Sequence, residues 1–268
     1  MHARIFGFVS LKGGVGKTTT VANLGAILAR DFGKRVLVVD ANLSGPTLAL
    51  HFGFAHPEHT LHEVLEGKVP IHKAIYEHPS GLHLLPASLL SRRVSLQRLK
   101  QSLHSLRPYY ELILLDAPPT VSAETVAALS CADELFLITT PDYVALSSTL
   151  HAVKLAREKK IHIAGLILNK VRGKKYELSF DALERDTKLP IVSVLFDDNI
   201  LLASLNKAQP AAFWKPKNDT VIEYKKLAAA LIGDRYKDTR VRSFVRSLFQ
   251  QGLSKDEVNR AIVMESHY

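Results

Sequence analysis

The chain has 268 residues, 47% of them hydrophobic and 23% charged, with a formal net charge of +9 and a single cysteine, Cys131. That balance excludes a disordered or fibrous chain, and one cysteine excludes an internal disulfide or a paired-thiol metal site. No apolar run approaches the ~18 residues of a spanning helix, and the first apolar run starts too early for a signal peptide. The expectation is a cytoplasmic protein whose charge favours anionic partners: nucleotide, nucleic acid or an acidic membrane surface.

In chain order, IFGFV at residues 5–9 predicts a strand buried on both faces, and LKGGVGKTTT at 11–20 follows it. Val21, Leu24 and Leu28 then recur at helical spacing. Strand, glycine-rich loop and helix are the context a phosphate-binding loop requires. The backbone N–H groups of Gly13, Gly14, Val15 and Gly16 would face phosphates, Lys17 would add a point charge on the β- and γ-oxygens, and Thr18 would offer a hydroxyl to Mg²⁺, with Thr19 beside it. The general pattern GxxxxGK[ST] has glycine at its first position; here that position is Leu11, and a second lysine, Lys12, follows.

Further apolar runs at 36–39, 112–115, 135–138, 161–168 and 191–195 predict more strands, and Val94, Leu96, Leu99, Leu103 and Leu106 predict a helix between two of them. Alternating strand and helix calls for a mostly parallel central sheet with helices on both faces and ligands at the carboxyl ends of the strands. Asp40 and Asp116 each close a strand and could hold Mg²⁺ through water; a helix N-cap or loop charge is the plainer alternative for each. Asn169 offers an amide donor and acceptor for an adenine edge. Seven of the twelve histidines lie between His51 and His83, and this stretch reads as a solvated loop in preference to a metal site. Basic runs at 154–160 and 170–175 read first as solvated, with contact to DNA phosphates as the sharper alternative.

After a candidate linker at 233–239, RVRSFVRSLFQQG places Val241, Phe244, Val245, Leu248 and Phe249 on one helical stripe beside arginines. Such a stripe suits a helix lying in a membrane surface. SKDEVNRAIV follows it as a second amphipathic segment, so a helical hairpin or a partner-docking module is the competing reading. The expected division is a P-loop domain over 1–235 and a small helical appendage over 236–268.

The loop KGGVGKT, with Lys12 and no preceding glycine, resembles the deviant phosphate loop of the MinD/ParA family of P-loop ATPases, and MinD-like members above all. VVDANLSGPTLALHFG (38–53) resembles that family's first switch, ILLDAPPT (113–120) its second, and ILNKVRG (167–173) its adenine-side strand end. Residues 189–210 and 224–232 resemble its closing segments. The resemblance implies an ATPase using ATP and Mg²⁺, an ATP-dependent homodimer in which Lys12 reaches the partner's nucleotide, and peripheral membrane association. It also implies ATP contacts at Phe196 and Asp198.

Two residues depart from the family pattern. Asn42 replaces the acidic residue thought to orient the attacking water, which implies slow hydrolysis, since an amide can position water but cannot take its proton. Phe196 stands where MinD-like members usually have proline. Three other readings stay open: a ParA-type DNA-partitioning ATPase, a bacterial tyrosine-kinase-like P-loop enzyme, suggested by residues 60–75 and DAPPT, and a metal-cluster carrier, whose paired cysteines are missing.

Overall fold

The computed structural model describes residues 2–90 and 94–238. Among these residues eight strands form one sheet: β1 Arg4–Val9, β2 Val36–Asp40, β3 Tyr76–Glu77, β4 His83–Leu85, β5 Leu112–Asp116, β6 Glu134–Thr139, β7 Ile163–Val171 and β8 Ile191–Phe196. Their order is β3-β4-β2-β5-β1-β6-β7-β8, parallel throughout except for the β3–β4 pair. The helices are α1 Lys17–Arg30, α2 Leu61–Glu66, α3 Gln97–His104, α4 Ala123–Leu129, α5 Tyr143–Glu158, α6 Phe180–Thr187, α7 Asn199–Asn206, α8 Ala211–Trp214 and α9 Asp219–Leu231.

Side chains on successive strand residues point to opposite faces, and the inner strands are apolar at both parities. Phe6, Val38 and Leu114 join one core cluster, under α1 and α9, while Ile5, Leu37 and Ile113 join another on the opposite face. That is why these strands read as continuous apolar runs instead of alternating ones. Gly25 lets α1 lie close on the sheet: a Cβ there would stand 2.5 Å from a Val38 methyl.

The expected strands are all present. The two short strands β3 and β4 were not legible, being two and three residues long. The histidine-rich stretch corrects the expectation of a solvated loop. It contains α2, started by a reciprocal capping box between Thr60 and Glu63, and His51 and His62 are buried. His62 Nδ1 accepts the Ser88 N–H at 3.0 Å. Among the described residues no group of metal-ligating side chains assembles, and no helix is long and apolar enough to cross a membrane. Cys131 is buried, as its apolar surroundings imply, and burial pushes its thiol up to about 12. Val241, Phe244, Val245, Leu248 and Phe249 lie outside the described residues.

Candidate active site

β1 lies between β5 and β6, so the chain leaving it enters the crevice at the carboxyl edge of the sheet, where successive connections diverge. Ser10 pins the start of the loop: its hydroxyl accepts the Lys12 N–H at 3.2 Å and donates to the Lys12 carbonyl at 2.9 Å. Gly16 has φ 91°, and a Cβ there would sit 2.3 Å from Asn169 Nδ2, so only glycine fits. The first turn of α1 has no side-chain cap and no acidic residue, which leaves its N–H groups free for an anion. A cavity of about 450 Å³ opens there, lined by Lys12 to Thr19, Asn42, Thr47, Asn169, Asp198 and a leucine wall from α7.

The cation of the loop's far end is buried. Lys17 donates to Asp116 Oδ1, and Thr18 Oγ1 donates to Asp116 Oδ2 at 2.7 Å. Asp116 ends β5 directly opposite Asp40 at the end of β2. Both are fully buried. Asp40 accepts three amides of the following loop, from Asn42 at 3.2 Å, Thr47 at 3.0 Å and Leu48 at 2.9 Å. Burial and then the neighbouring Asp116 charge push its carboxyl up to about 7. Thr18, Asp40 and Asp116 therefore do converge. Neither aspartate lines the cavity: Asp40 is committed to the loop backbone, and Asp116 sits beneath it between the resident lysine and the Thr18 hydroxyl.

Lys12, at the loop's near end, is built differently. Its Nζ lies 3.1 Å from both oxygens of Asp142, the N-cap of α5. Burial works to raise Asp142, but hydrogen bonds from Thr140, the Ala145 amide and Lys12 outweigh it and hold the carboxyl below its usual range. Asn42 lines the cavity and donates Nδ2 to the Gly45 carbonyl, closing the first-switch turn.

On the adenine side the expectations are corrected in part. Asn169 lines the cavity, but its Nδ2 already donates to the Val15 carbonyl at 2.7 Å, bracing the phosphate loop. Its Oδ1 is buried with no hydrogen-bond partner, which leaves one acceptor for a donor on a ligand. Asp198 also lines the cavity, yet its carboxylate is spent on the Ile200 amide at 3.0 Å, Asn218 at 3.2 Å and Thr220 at 2.9 Å. Phe196 does not line the cavity; it packs with the cluster on the α5 and α6 side. The wall belongs instead to Leu201, Leu202 and Leu205, with Leu202 65% exposed at the mouth. Sequence reasoning missed those leucines, although their i, i+1, i+4 spacing after Asp198 was a usable signal.

A buried lysine and hydroxyl on one strand-end aspartate, beneath a glycine loop at a helix N-terminus, define a P-loop nucleotide-binding protein. A family model described as an AAA domain matches residues 3–163, more than half of the chain. An ATP-binding protein of Methanocaldococcus jannaschii is 32% identical over 248 residues, covering 89% of this chain and 94% of the relative. The septum site-determining protein MinD of Bacillus subtilis is 28% identical over 83% of this chain and 87% of its own length. The solved MinD of Pyrococcus horikoshii, complexed with Mg-ADP, superposes with a TM-score of 0.80 at 28% identity, covering 85% of this chain and 96% of that one. The chain belongs to the MinD/ParA family of P-loop ATPases, whose nucleotide is ATP with Mg²⁺.

Proposed function

We propose that this protein is a MinD-type molecular switch, which dimerises when it holds ATP, hydrolyses it slowly and positions partners at a membrane or cell pole. The observation that carries the reading is Lys12. A P-loop needs one cation for the β- and γ-phosphates, and Lys17 fills that place from a buried position. Lys12 lies at the cavity edge in a half-exposed ion pair, free to leave Asp142 for a nucleotide held by a second copy. A cation that arrives only with a partner couples γ-phosphate charge to dimerisation.

The residues suit Mg-ATP. Backbone N–H groups of Gly13 to Thr18 would hold the phosphates, and Thr18 with Asp116 would hold Mg²⁺, with Asp40 behind. When bound, Mg²⁺ neutralises charge shared between the β- and γ-phosphoryl oxygens. The unpaired Oδ1 of Asn169 would accept from an adenine amine, and the α7 leucines would cover the base. Asn42 would orient the attacking water without taking its proton, which supports a slow rate. Residues 1–235 would form the switch and 236–268 the appendage that meets an acidic membrane or a partner protein.

The test measures Mg-ATP hydrolysis, then vesicle and DNA pelleting with ATP or ADP, for the full chain and for a chain ended at 235. Slow hydrolysis with ATP-dependent vesicle pelleting that the shorter chain loses is expected. Pelleting by DNA in place of vesicles would replace the reading with a DNA-partitioning one.

A further inference from the structure

His51 lies in the 3₁₀ turn Leu48–Phe52 that ends the first switch, and only 7% of its surface is exposed. Its Nδ1 is 3.2 Å from the Thr47 carbonyl, and its Nε2 is 3.3 Å from Thr19 Oγ1. A carbonyl can only accept, so Nδ1 carries the proton; Nε2 is then the acceptor of the Thr19 hydroxyl in the neutral ring. The imidazole thus joins two segments that both line the nucleotide cavity: the first turn of α1 at Thr19 and the first switch at Thr47. Thr47 is held on both sides, its N–H by Asp40 at 3.0 Å and its C=O by His51. Asn42, in the same loop, shares the Asp40 anchor with Thr47: its N–H donates to Asp40 at 3.2 Å, and its Nδ2 donates to the Gly45 carbonyl.

We propose that His51 is a positioning residue for hydrolysis: its ring ties the phosphate-loop helix to the first switch, so that Thr47 and Asn42 stand at the phosphate end of the cavity when ATP is held. This rests on the ATPase reading above. An aliphatic side chain could fill the same buried volume, but it could not join the two segments. The Leu50 amide also donates to the Thr47 carbonyl, at 3.2 Å, so losing His51 removes the tie without leaving that carbonyl unpaired. A leucine variant is therefore expected to fold.

The experiment compares the full-length wild type with His51→Leu, His51→Asn and Thr19→Val in steady-state Mg-ATP hydrolysis and in binding of a fluorescent ATP analogue. Misplacing a reacting group by an ångström costs about a hundredfold. His51→Leu should accordingly lower kcat by about tenfold to a hundredfold, with ATP affinity held within about threefold. Asn, whose amide can replace Nδ1–H toward Thr47, should recover part of the loss, and Thr19→Val, which keeps shape and removes the hydroxyl, should reproduce it.

An unchanged kcat in His51→Leu and Thr19→Val, or equal losses of kcat and affinity, would overturn the proposal. Should His51→Leu lack a cooperative melt, amide exchange over residues 43–50 in nucleotide-free Thr19→Val decides: exchange about tenfold faster than wild type supports the tie, and equal exchange refutes it. If the wild type binds ATP but shows no hydrolysis, the ATPase reading fails by itself, and amide exchange over residues 43–50 with Mg-ATP decides for His51. Exchange about tenfold faster in the leucine variant supports the tie, and equal exchange refutes it.

Discussion

The two ends of the phosphate loop carry the same side chain in opposite settings. At the helix end the Lys17 and Asp116 side chains are 7% and 1% exposed, whereas at the strand end those of Lys12 and Asp142 are 33% and 45% exposed. Breaking a buried pair by removing one partner costs about 3–5 kcal/mol, because the other charge is stranded. An exposed pair is worth about 0.2–1 kcal/mol. The same six-residue stretch, Lys12 to Lys17, thus holds one cation that belongs to the fold and one that thermal motion can release, and the proposed completion of the loop by a second subunit needs that inequality.

The largest expected effect follows from the buried end. Lys17→Ala should lower stability by about 3–5 kcal/mol and abolish Mg-ATP binding; chemical denaturation and nucleotide titration read both. If the Lys17→Ala variant kept wild-type stability, the inequality between the two ends would collapse. Next is Asn42→Asp, which puts a carboxylate where the proposed function places the attacking water and should raise kcat by about tenfold or more, leaving ATP affinity near the wild-type value. Asp142→Asn keeps a competent N-cap for α5 and releases only the ion pair. It should lower stability by no more than about 1 kcal/mol and let the ATP dimer form at an ATP concentration up to about fivefold lower, measured by sedimentation. A larger stability loss would mean that the exposed end is not the weak one.

The smallest effect is on pH dependence. Burial holds the pKa of His51 below its ordinary value of 6.5; Lys17 acts in the same direction, and Asp116 and the Thr47 carbonyl oppose. A depressed folded value means the unfolded chain takes up the proton first, so this part of the stability is present above pH 6.5 and declines as pH falls below it. His51→Leu should lose less stability than wild type between pH 7.5 and 5.5 in paired thermal melts, and an identical loss would contradict the assignment of a buried neutral ring.

Most of the sheet was legible because strands buried on both faces leave unbroken apolar runs, as at 36–39 and 112–115. The loop was legible because its spacing is dictated by phosphate geometry, and the two aspartates because each closes an apolar run. What escaped was whatever depends on a partner distant in sequence. Asp142 reads locally as an ordinary helix cap, and nothing near it signals Lys12, 130 residues away. Asn169 reads locally as a base contact, whereas half of its amide serves Val15, 154 residues earlier. His51 reads locally as one of a run of solvated histidines, because its partners Thr19 and Thr47 meet it only in the fold, Thr19 lying 32 residues earlier. The family pattern puts Phe196 against the nucleotide, but its side chain packs with the α5 and α6 side.

The central claim is that Lys12 leaves its own chain for a second one when ATP is present. The direct measurement is the sedimentation mass of wild type and Lys12→Ala, each saturated with Mg²⁺ and a slowly hydrolysed ATP analogue, beside the same proteins with Mg-ADP. The account predicts a dimer only for wild type with the ATP analogue, and a monomeric Lys12→Ala that still binds nucleotide within about threefold of wild type. A Lys12→Ala variant that dimerised with the ATP analogue as wild type does would contradict it.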